Sequence, residues 1–238
     1  MTSNSADLAL SSDTESQHVS GQPAAAQKYR IAIIGPGQIG GFLAVLLSQP
    51  ATNCTVNLYG RKAVDARMLT AGWLDERNQS LQSDAVPLTV DGDWRSIAQA
   101  DLVLLTVKAT ALAAVCQQLQ PLLPASTPLV ACQNGLGITE LIRQYLPNPL
   151  FQLIVPFNVV LSDNGLYQQT SAGQLICQKH QSLQTLQTLQ HQLRKVGVPL
   201  QTAADMRPVI YGKLLLNLNN ALNAISDLPL RQQLQQRA

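Results

Sequence analysis

The sequence predicts an α/β fold: a parallel sheet with helices between its strands, followed by the start of an all-helical second domain. Two observations support this prediction. Short apolar runs alternate with amphipathic stretches from residue 29 onward, and the first run passes directly into a glycine-rich turn. Strands that alternate with helices of this length form right-handed βαβ units.

The first half of the chain supplies the alternating elements. Tyr29–Ile34 and Cys54–Tyr59 are short apolar runs and predicted strands. Leu102–Val107 is so continuously apolar that we expect a strand buried on both faces, and Leu129–Cys132 is another buried strand. The helices predicted from their 3.6-residue periodicity are Gln38–Ser48, Ala109–Leu119 and Leu136–Tyr145.

The pattern changes near residue 150. Three strand-like segments, Phe151–Leu161, Leu166–Thr170 and Gln174–Cys177, follow one another without intervening helices. Turn residues separate them, so we expect antiparallel strands added to one edge of the sheet. A helix over Leu183–Val196 and a last short strand over Val198–Gln201 are predicted next.

Changes in composition divide the chain into three parts. Residues 1–28 are rich in Ser, Gln, Ala, Thr and Asp, and we expect a disordered tail. Residues 29–202 are expected to form the sheet domain. Residues 203–238 contain the strongly apolar helix Val209–Ile225, which we interpret as the beginning of an incomplete helical domain.

The composition argues against several classes of protein. The formal net charge is +2 and aromatic residues make up 4% of the chain, so neither a basic field nor a stacking platform for nucleic acid is expected. No apolar run is long enough to span a bilayer, and the N-terminus lacks the pattern of a signal peptide. We therefore expect a cytoplasmic protein without nucleic-acid or membrane partners.

Cysteine and histidine residues show no spacing typical of a metal or redox site. Three of the cysteines lie in apolar runs, where buried reduced thiols are expected. The histidines are expected at the surface, so we predict no metal site. The residues concerned are Cys54, Cys116, Cys132, Cys177, His18, His180 and His191.

The first strand ends in a G-x-G-x-x-G motif that also opens a helix. In this context the first glycine permits a tight turn, the second lets the backbone approach a pyrophosphate, and the third allows close packing of helix and strand. The helix N-terminus then attracts the phosphates. The motif predicts a Rossmann-type dinucleotide-binding domain, with candidate contacts Gly35, Pro36, Gly37, Gln38, Ile39 and Gly40.

The end of the second strand bears on the choice between NAD and NADP. An acid there would bind the ribose 2′-hydroxyl of NAD. Here Arg61 and Lys62 follow Gly60, and Arg61 can bind a 2′-phosphate with two hydrogen bonds. This predicts NADP (NADPH) as the cofactor, with a solvated pair of surface cations as the alternative.

Two further loops follow predicted strands at the edge where α/β proteins bind ligands. Lys108 comes just after one buried strand and can reach a ribose or a phosphate. Asn134 follows the next strand, before a glycine, and offers both donors and an acceptor to a ribose or a nicotinamide. The alternative for both is turn or capping chemistry.

The apolar helix carries one polar face. Lys213, Asn217 and Asn220 lie at positions i, i+4 and i+7 and therefore share that face. Polar groups on an apolar helix need partners, because burying them unpaired is costly. A polar substrate is one such partner, and a solvated stripe on an amphipathic helix is the alternative.

Four motifs together resemble the ketopantoate reductase (2-dehydropantoate 2-reductase) family of pantothenate biosynthesis. They are the glycine loop, T-V-K-A at residues 106–109, Q-N-G at 133–135 and K-L-x-x-N at 213–217. The resemblance runs from Tyr29 to Ile225. It implies an N-terminal Rossmann domain, an all-helical second domain, and NADPH-dependent reduction of 2-dehydropantoate, a 2-keto acid, to pantoate.

The resemblance also implies roles for individual residues. Lys213 would be the general acid, Asn217 and Asn220 would bind the substrate, and Asn134 would contact both substrate and cofactor. The cofactor would be held by the glycine loop, Arg61, Lys108 and Asn134. Asn220 lies one residue closer to the lysine than the commonest form of the motif places its second asparagine.

The sequence departs from the pattern of this family at the end of the chain. Ketopantoate reductases continue with further helices that bring a serine and a glutamate to the site, whereas this sequence ends at Ala238. We therefore expect a fragment or a truncated family member with impaired activity, and a homo-oligomeric state. A reductase of another 2-keto acid and a non-catalytic dinucleotide-binding protein are the alternatives.

Overall fold

The computed structural model describes residues 27–75, 77–179 and 184–226, and only the backbone of residues 219–226. Nearly all of the expected N-terminal tail lies outside these ranges. Within them, no helix is long and apolar enough to cross a membrane.

Strands alternate with helices over much of the first half of the chain, as predicted, but four strands follow one another between residues 54 and 91. In chain order the strands are β1 (Tyr29–Ile34), β2 (Cys54–Tyr59), β3 (Val64–Leu74), β4 (Ser80–Gln82), β5 (Val86–Asp91), β6 (Leu102–Leu105), β7 (Leu129–Ala131), β8 (Leu150–Ile154), β9 (Val159–Leu161), β10 (Leu166–Gln169), β11 (Leu175–Gln178) and β12 (Leu200–Ala203). The α-helices are α1 (Gln38–Leu47), α2 (Ala109–Leu119), α3 (Ile138–Arg143), α4 (Gln184–Lys195) and α5 (Arg207–Ser226), and a 3₁₀ helix covers Trp94–Gln99.

A parallel sheet forms the centre of the fold. Its strands run in the order β5-β2-β1-β6-β7-β8, and every neighbouring pair is parallel. All four residues of β6 are buried, as expected for a strand covered on both faces. When these six strands alone are numbered in chain order, their order across the sheet is 3-2-1-4-5-6. This is the strand order of the doubly wound dinucleotide-binding fold. The predicted fold class is therefore confirmed.

Two predictions about the second half of the chain are wrong. The run Phe151–Leu161 is not one strand, because the chain leaves the sheet around Pro156, which has no N–H for a ladder. Nor do the added strands share one edge. β11 and β12 extend the sheet beside β8, whereas β9 and β10 lie beyond β5, next to β3. The expected antiparallel pairing is found between β9 and β10 and between β8 and β11, whereas β10 pairs with β3 in parallel.

The second edge exists because of β3, which lies in a segment to which the sequence analysis assigned no element. This strand of 11 residues pairs antiparallel with β5 in its first half and parallel with β10 in its second half. Its first five residues are all exposed. The segment therefore lacks the apolar alternation from which a half-buried strand is recognised.

Helix α1 lies at the centre of the larger core. Every residue from Gly40 to Leu47 is buried, because α1 packs against β2, β3, β9 and β10. Phe42 meets Phe157 edge-on, with ring centroids 5.8 Å apart. A second core on the opposite face of the sheet holds α2, α3 and the 3₁₀ helix. This packing fixes the N-terminus of α1 at the carboxyl end of β1.

Among the residues of α5 whose side chains the structure describes, those at the beginning of the helix pack against the rest of the chain. Met206, just before the helix, and Ile210 contact Ile154 at the end of β8 in a small separate core. Farther along, the exposed fractions of Leu215, Leu216 and Leu218 are 67%, 62% and 53%. The first turns of α5 are therefore anchored to the sheet, and a row of leucines beyond them faces outward.

Candidate functional site

The glycine turn between β1 and α1 needs its glycines for different reasons. Gly35 has φ +116°, and a Cβ there would lie 2.8 Å from the backbone nitrogen of Val107. A Cβ on Gly40 would lie 2.0 Å from the carbonyl oxygen of Gly35. Around Gly37, in contrast, no atom of the described residues beyond its chain neighbours comes within 4 Å of such a Cβ. Two glycines thus close the turn, and the third leaves open space.

The N-terminus of α1 suits an anion. Its N-cap is Gly37, which has no side chain to bond the free N–H groups, and the first turn contains no acidic residue. Free backbone N–H groups and the positive end of the helix dipole favour a bound phosphate. The open space at Gly37 lies at this helix end, so the turn fits a dinucleotide pyrophosphate.

The loop that carries Arg61 is held firmly at its base. The N–H of Gly60 donates to the carbonyl of Asp91 at 3.0 Å, and the Gly60 carbonyl accepts from Trp94 Nε1 at 3.0 Å. The Trp94 ring packs edge-on against Tyr59, with centroids 6.4 Å apart. Arg61 is exposed, and no acidic residue in the described ranges forms an ion pair with it. Its guanidinium is therefore available to a ligand.

One acidic residue at the same edge was not predicted from the sequence. Asp91 ends β5 and lies directly beside Tyr59 in the parallel register with β2. One oxygen of its carboxylate accepts a hydrogen bond from the N–H of Asp93 at 2.8 Å. Only strand pairing brings Asp91 to the same edge of the sheet as Arg61, because the two residues are thirty positions apart in the sequence.

Thr106 is a second residue that the sequence analysis did not assign to the site. Its Oγ1 lies 2.9 Å from the carbonyl oxygens of both Ile34 and Gly35. It therefore ties the loop after β6 to the glycine turn. Lys108 follows in the same loop, is exposed, and occupies the N-cap position of α2. Thr106 is the first residue of the T-V-K-A motif, and this motif is the sequence signal from which its role could have been predicted.

Lys213 lies on α5 and reaches back to the sheet. Its Nζ donates to the carbonyl of Pro156 at 3.2 Å, just beyond the carboxyl end of β8. The side chain is half-buried, and this desolvation lowers the pKa of the ammonium. Asn217, one turn later, is also half-buried. The side chain of Asn220 lies outside the described residues.

The site residues meet because parallel strands end at a common edge. The glycine turn follows β1, Arg61 follows β2, Lys108 follows β6 and Asn134 follows β7. Asn134 is exposed and precedes Gly135, which has φ +106°. Pro156, the partner of Lys213, follows β8. The predicted cofactor and lysine positions therefore lie along the edge where α/β sheets bind ligands.

A cleft of about 480 Å³ adjoins this edge. It lies between the loop at Gly135, helix α3 and the first turns of α5. Its lining carries two arginines and two acids, Arg143, Arg207, Glu140 and Asp205, and Arg207 is paired with Asp205 at 2.9 Å. The cleft shows that space remains between α5 and the loop that carries Asn134.

The four cysteines and the one histidine that the structure describes show no sign of a catalytic or metal-binding role. Cys54, Cys116 and Cys177 are buried free thiols, and Cys132 is half-buried and also free. Burial raises the pKa of Cys116 to about 11 and that of Cys177 to about 12, which makes both poor nucleophiles. His191 is exposed, whereas His18 and His180 lie outside the described residues. Across the described ranges, no three potential ligands cluster as a metal site.

Solved structures share this fold. The 2-dehydropantoate 2-reductase from Geobacter metallireducens GS-15 superposes with a TM-score of 0.68 and 23% identity, covering 84% of this chain and 66% of that one. A dimeric ketopantoate reductase from Staphylococcus aureus gives a TM-score of 0.61 and 22% identity, covering 83% of this chain and 63% of that one. At these identities the likeness shows the fold alone.

Among curated relatives, a glycerol-3-phosphate dehydrogenase [NAD(P)+] from Bradyrhizobium sp. (strain ORS 278) is 34% identical over 128 residues. The match covers 49% of this chain and 37% of that relative's length. The chain thus spans well under half of the length of this relative.

The family profile described as ketopantoate reductase PanE/ApbA matches residues 31–182. The matched segment begins in β1 and includes the glycine turn, Arg61, Lys108 and Asn134. It is a family of dinucleotide-binding oxidoreductases, in agreement with the sheet order and the open glycine turn. The chain therefore belongs to the ketopantoate reductase PanE/ApbA family.

Proposed function

We propose that this protein reduces a 2-keto acid with NADPH, and that 2-dehydropantoate is its substrate. One observation carries the proposal: the half-buried Lys213 contacts the carboxyl edge of the same sheet whose glycine turn fits a pyrophosphate. A dinucleotide and a proton donor at this edge of the sheet can therefore act on one substrate. Family membership and the K-L-x-x-N motif support the choice of reaction.

Different residues at the sheet edge would bind different parts of NADPH. The N–H groups at the start of α1, beside Gly37, would hold the pyrophosphate. Arg61 would bind the 2′-phosphate, and Lys108 and Asn134 would contact the nicotinamide half. When bound, the reduced nicotinamide supplies the hydride for the keto carbon.

The chemistry of the protein is proton delivery and alignment. As the keto carbon is reduced, negative charge develops on its oxygen, and the Lys213 ammonium stabilises that charge and gives up a proton to it. The lowered pKa of Lys213 makes it a stronger acid than an exposed lysine. Asn217 and Asn220 would hold the substrate's hydroxyl or carboxylate by hydrogen bonds.

The test is a panel of 2-keto acids, including 2-dehydropantoate, mixed with NADPH and followed by the loss of nicotinamide absorbance. We expect 2-dehydropantoate to give the highest kcat/KM. A different keto acid with the highest kcat/KM would keep the reaction class and change the substrate. Tight NADPH binding without turnover of any compound would favour a non-catalytic dinucleotide-binding protein.

A second candidate function has its own supporting observation. The curated relative with 34% identity is named glycerol-3-phosphate dehydrogenase, which pairs the same kind of cofactor with a phosphorylated alcohol. The assay is therefore repeated in the oxidative direction with glycerol 3-phosphate and NAD⁺ or NADP⁺. Oxidation of glycerol 3-phosphate, without any reduction of 2-dehydropantoate, would support this second function over the first.

We expect Arg61→Ala to weaken NADPH binding and leave NADH binding nearly unchanged. A charged hydrogen bond to the 2′-phosphate contributes about 1.5–3 kcal/mol, which is roughly 10- to 150-fold in Kd. Fluorescence titration with both cofactors measures the difference. Arg194→Ala, an exposed arginine in α4, is the control and should bind both as before. Equal losses for both cofactors would mean that Arg61 does not recognise the 2′-phosphate.

We also propose that the 238-residue chain forms homo-oligomers through α5. Tyr211, Leu215, Leu216 and Leu218 expose more than half of their surface there, and contiguous exposed apolar side chains favour association. A Staphylococcus aureus ketopantoate reductase is dimeric. Sedimentation velocity should show a larger species that Leu215→Glu converts to monomer. The control Met68→Glu replaces a similarly exposed residue in β3 and should not change the mass. A monomeric starting protein would contradict the proposal.

A further inference from the structure

Gln133 is a buried amide at the carboxyl end of β7. Only 5% of the residue is exposed. Its Nε2 donates to the carbonyl oxygens of Leu105, at 2.9 Å, and Val107, at 3.0 Å. Leu105 ends β6, and Val107 lies in the loop that leads to Lys108. One side chain therefore joins the loop after β6 to the loop that carries Asn134.

The connection continues into the glycine turn. The backbone nitrogen and Cγ1 of Val107 lie 2.8 and 2.9 Å from the position that a Cβ on Gly35 would take. Thr106, between Leu105 and Val107, holds the Gly35 carbonyl at 2.9 Å through Oγ1. Gln133, Val107 and Gly35 thus form one continuous path of contacts across three loops.

The fold alone does not require an amide at position 133. The Leu105 carbonyl already accepts a ladder bond from the N–H of Cys132 at 2.9 Å. Meanwhile, Gln133 Oε1 is buried and accepts no hydrogen bond from any described residue. Leaving a buried acceptor unpaired costs about 1–3 kcal/mol, which an apolar side chain of the same shape would avoid. The two donated bonds are the benefit that offsets this cost.

We propose that Gln133 is a positioning residue that sets Lys108 and Asn134 relative to the glycine turn. It acts on the nicotinamide half of the cofactor through these loops, without contacting the reacting atoms. This inference rests on the proposed binding of NADPH. The adenylate half, held by Arg61 and the start of α1, depends on contacts in which Gln133 takes no part.

Asn148 provides a matched control within the same chain. It is also 5% exposed, and its Nδ2 donates to the carbonyls of Pro124 and Thr127 at 2.8 Å each. Its Oδ1 is likewise buried without a partner in the described ranges. Asn148 precedes β8 and bonds the loop before β7, at the amino ends of these strands. The two residues therefore match in hydrogen bonding and burial but lie at opposite ends of the sheet.

The experiment compares Gln133→Met with Asn148→Leu by thermal unfolding and by calorimetric titration with two ligands, NADPH and adenosine 2′,5′-bisphosphate. Each variant loses two donated hydrogen bonds and one buried unpaired acceptor, so the two changes in Tm should be similar. Gln133→Met should weaken NADPH by about 3- to 30-fold, the range for side chains that act through intervening contacts. Its affinity for the bisphosphate, which lacks the nicotinamide half, should stay within about twofold. Asn148→Leu should leave both affinities unchanged.

Several outcomes would overturn the inference. They are an unchanged NADPH affinity in Gln133→Met, an equal loss for both ligands, or an equal loss in Asn148→Leu. A failure of the unsubstituted chain to bind NADPH would overturn the proposed function. If the unsubstituted chain binds NADPH, the outcomes above would overturn the inference about Gln133 alone. Gln133→Glu covers the case in which Gln133→Met does not fold. It keeps the shape and, in the protonated form that burial favours, one donor, so a smaller loss confined to NADPH is expected.

Discussion

Replacing Lys213 by alanine should lower turnover by about 10²–10⁴-fold, the usual contribution of a positioned general acid, while Kd for NADPH changes by less than about threefold. The reason is that Nζ lies against the Pro156 carbonyl on the α5 side of the edge and not in the glycine turn. Turnover is followed by nicotinamide absorbance with the best keto acid, and Kd by fluorescence titration. A loss confined to NADPH binding would assign Lys213 to the cofactor instead.

Two further variants separate charge from proton delivery. Lys213→Arg keeps the positive charge, but a guanidinium does not release its proton in proteins, so we expect a loss close to that of alanine. Lys195→Ala removes an exposed lysine from the last turn of α4 and should leave turnover unchanged. An arginine variant with full turnover would show that Lys213 acts by charge alone.

The pH dependence of turnover follows from the same group. Desolvation lowers the pKa of Lys213, so its ammonium is lost at a lower pH than that of an exposed lysine. Turnover should therefore fall on the alkaline side, through the lowered pKa, and the Lys213→Ala variant should lack this limb. An unchanged alkaline limb in that variant would assign the titration to another group.

Much of the fold is predictable from local patterns. The apolar strands β1, β6 and β7 and the glycine turn all lie where periodicity and motif place them, because each pattern is short and complete in itself. β3 is different. Its first residues are exposed, and its second half is covered by α1 and by β10, which comes almost a hundred residues later. No local pattern in the sequence can specify that pairing.

The same distinction applies to the site. Gly35, Gly37 and Gly40 are recognisable because their spacing in the sequence is the motif itself. Asp91 is not, because only strand pairing places it at this edge. Gln133 belongs to the Q-N-G motif, but the motif alone does not show the two hydrogen bonds that it donates to the neighbouring loop. Motifs therefore locate such residues in the sequence, whereas the contacts that they make between loops are known only once the strands are in register.

The second large effect concerns Gly37, where folding and cofactor binding should separate. Gly37→Ala should fold with a free energy of unfolding within about 0.5 kcal/mol of the original, as is usual for substitutions that break no contact. The added methyl group meets no described atom within 4 Å, apart from the chain neighbours of Gly37, and φ at this position is −81°, which alanine adopts readily. NADPH should nevertheless bind about 10- to 100-fold more weakly, because the methyl group stands where the pyrophosphate must approach the N–H groups of α1.

Two other glycines make this prediction specific. Gly40→Ala places a Cβ 2.0 Å from the Gly35 carbonyl and should cost more than about 4 kcal/mol of stability, since backbone must move. Gly212→Ala, in α5, also points into open space but lies away from the turn, so it should leave NADPH binding unchanged. Chemical denaturation measures stability, and fluorescence titration measures Kd. If Gly37→Ala binds NADPH as tightly as the original, the pyrophosphate does not approach this backbone, and the assignment of the glycine turn as the phosphate site is wrong.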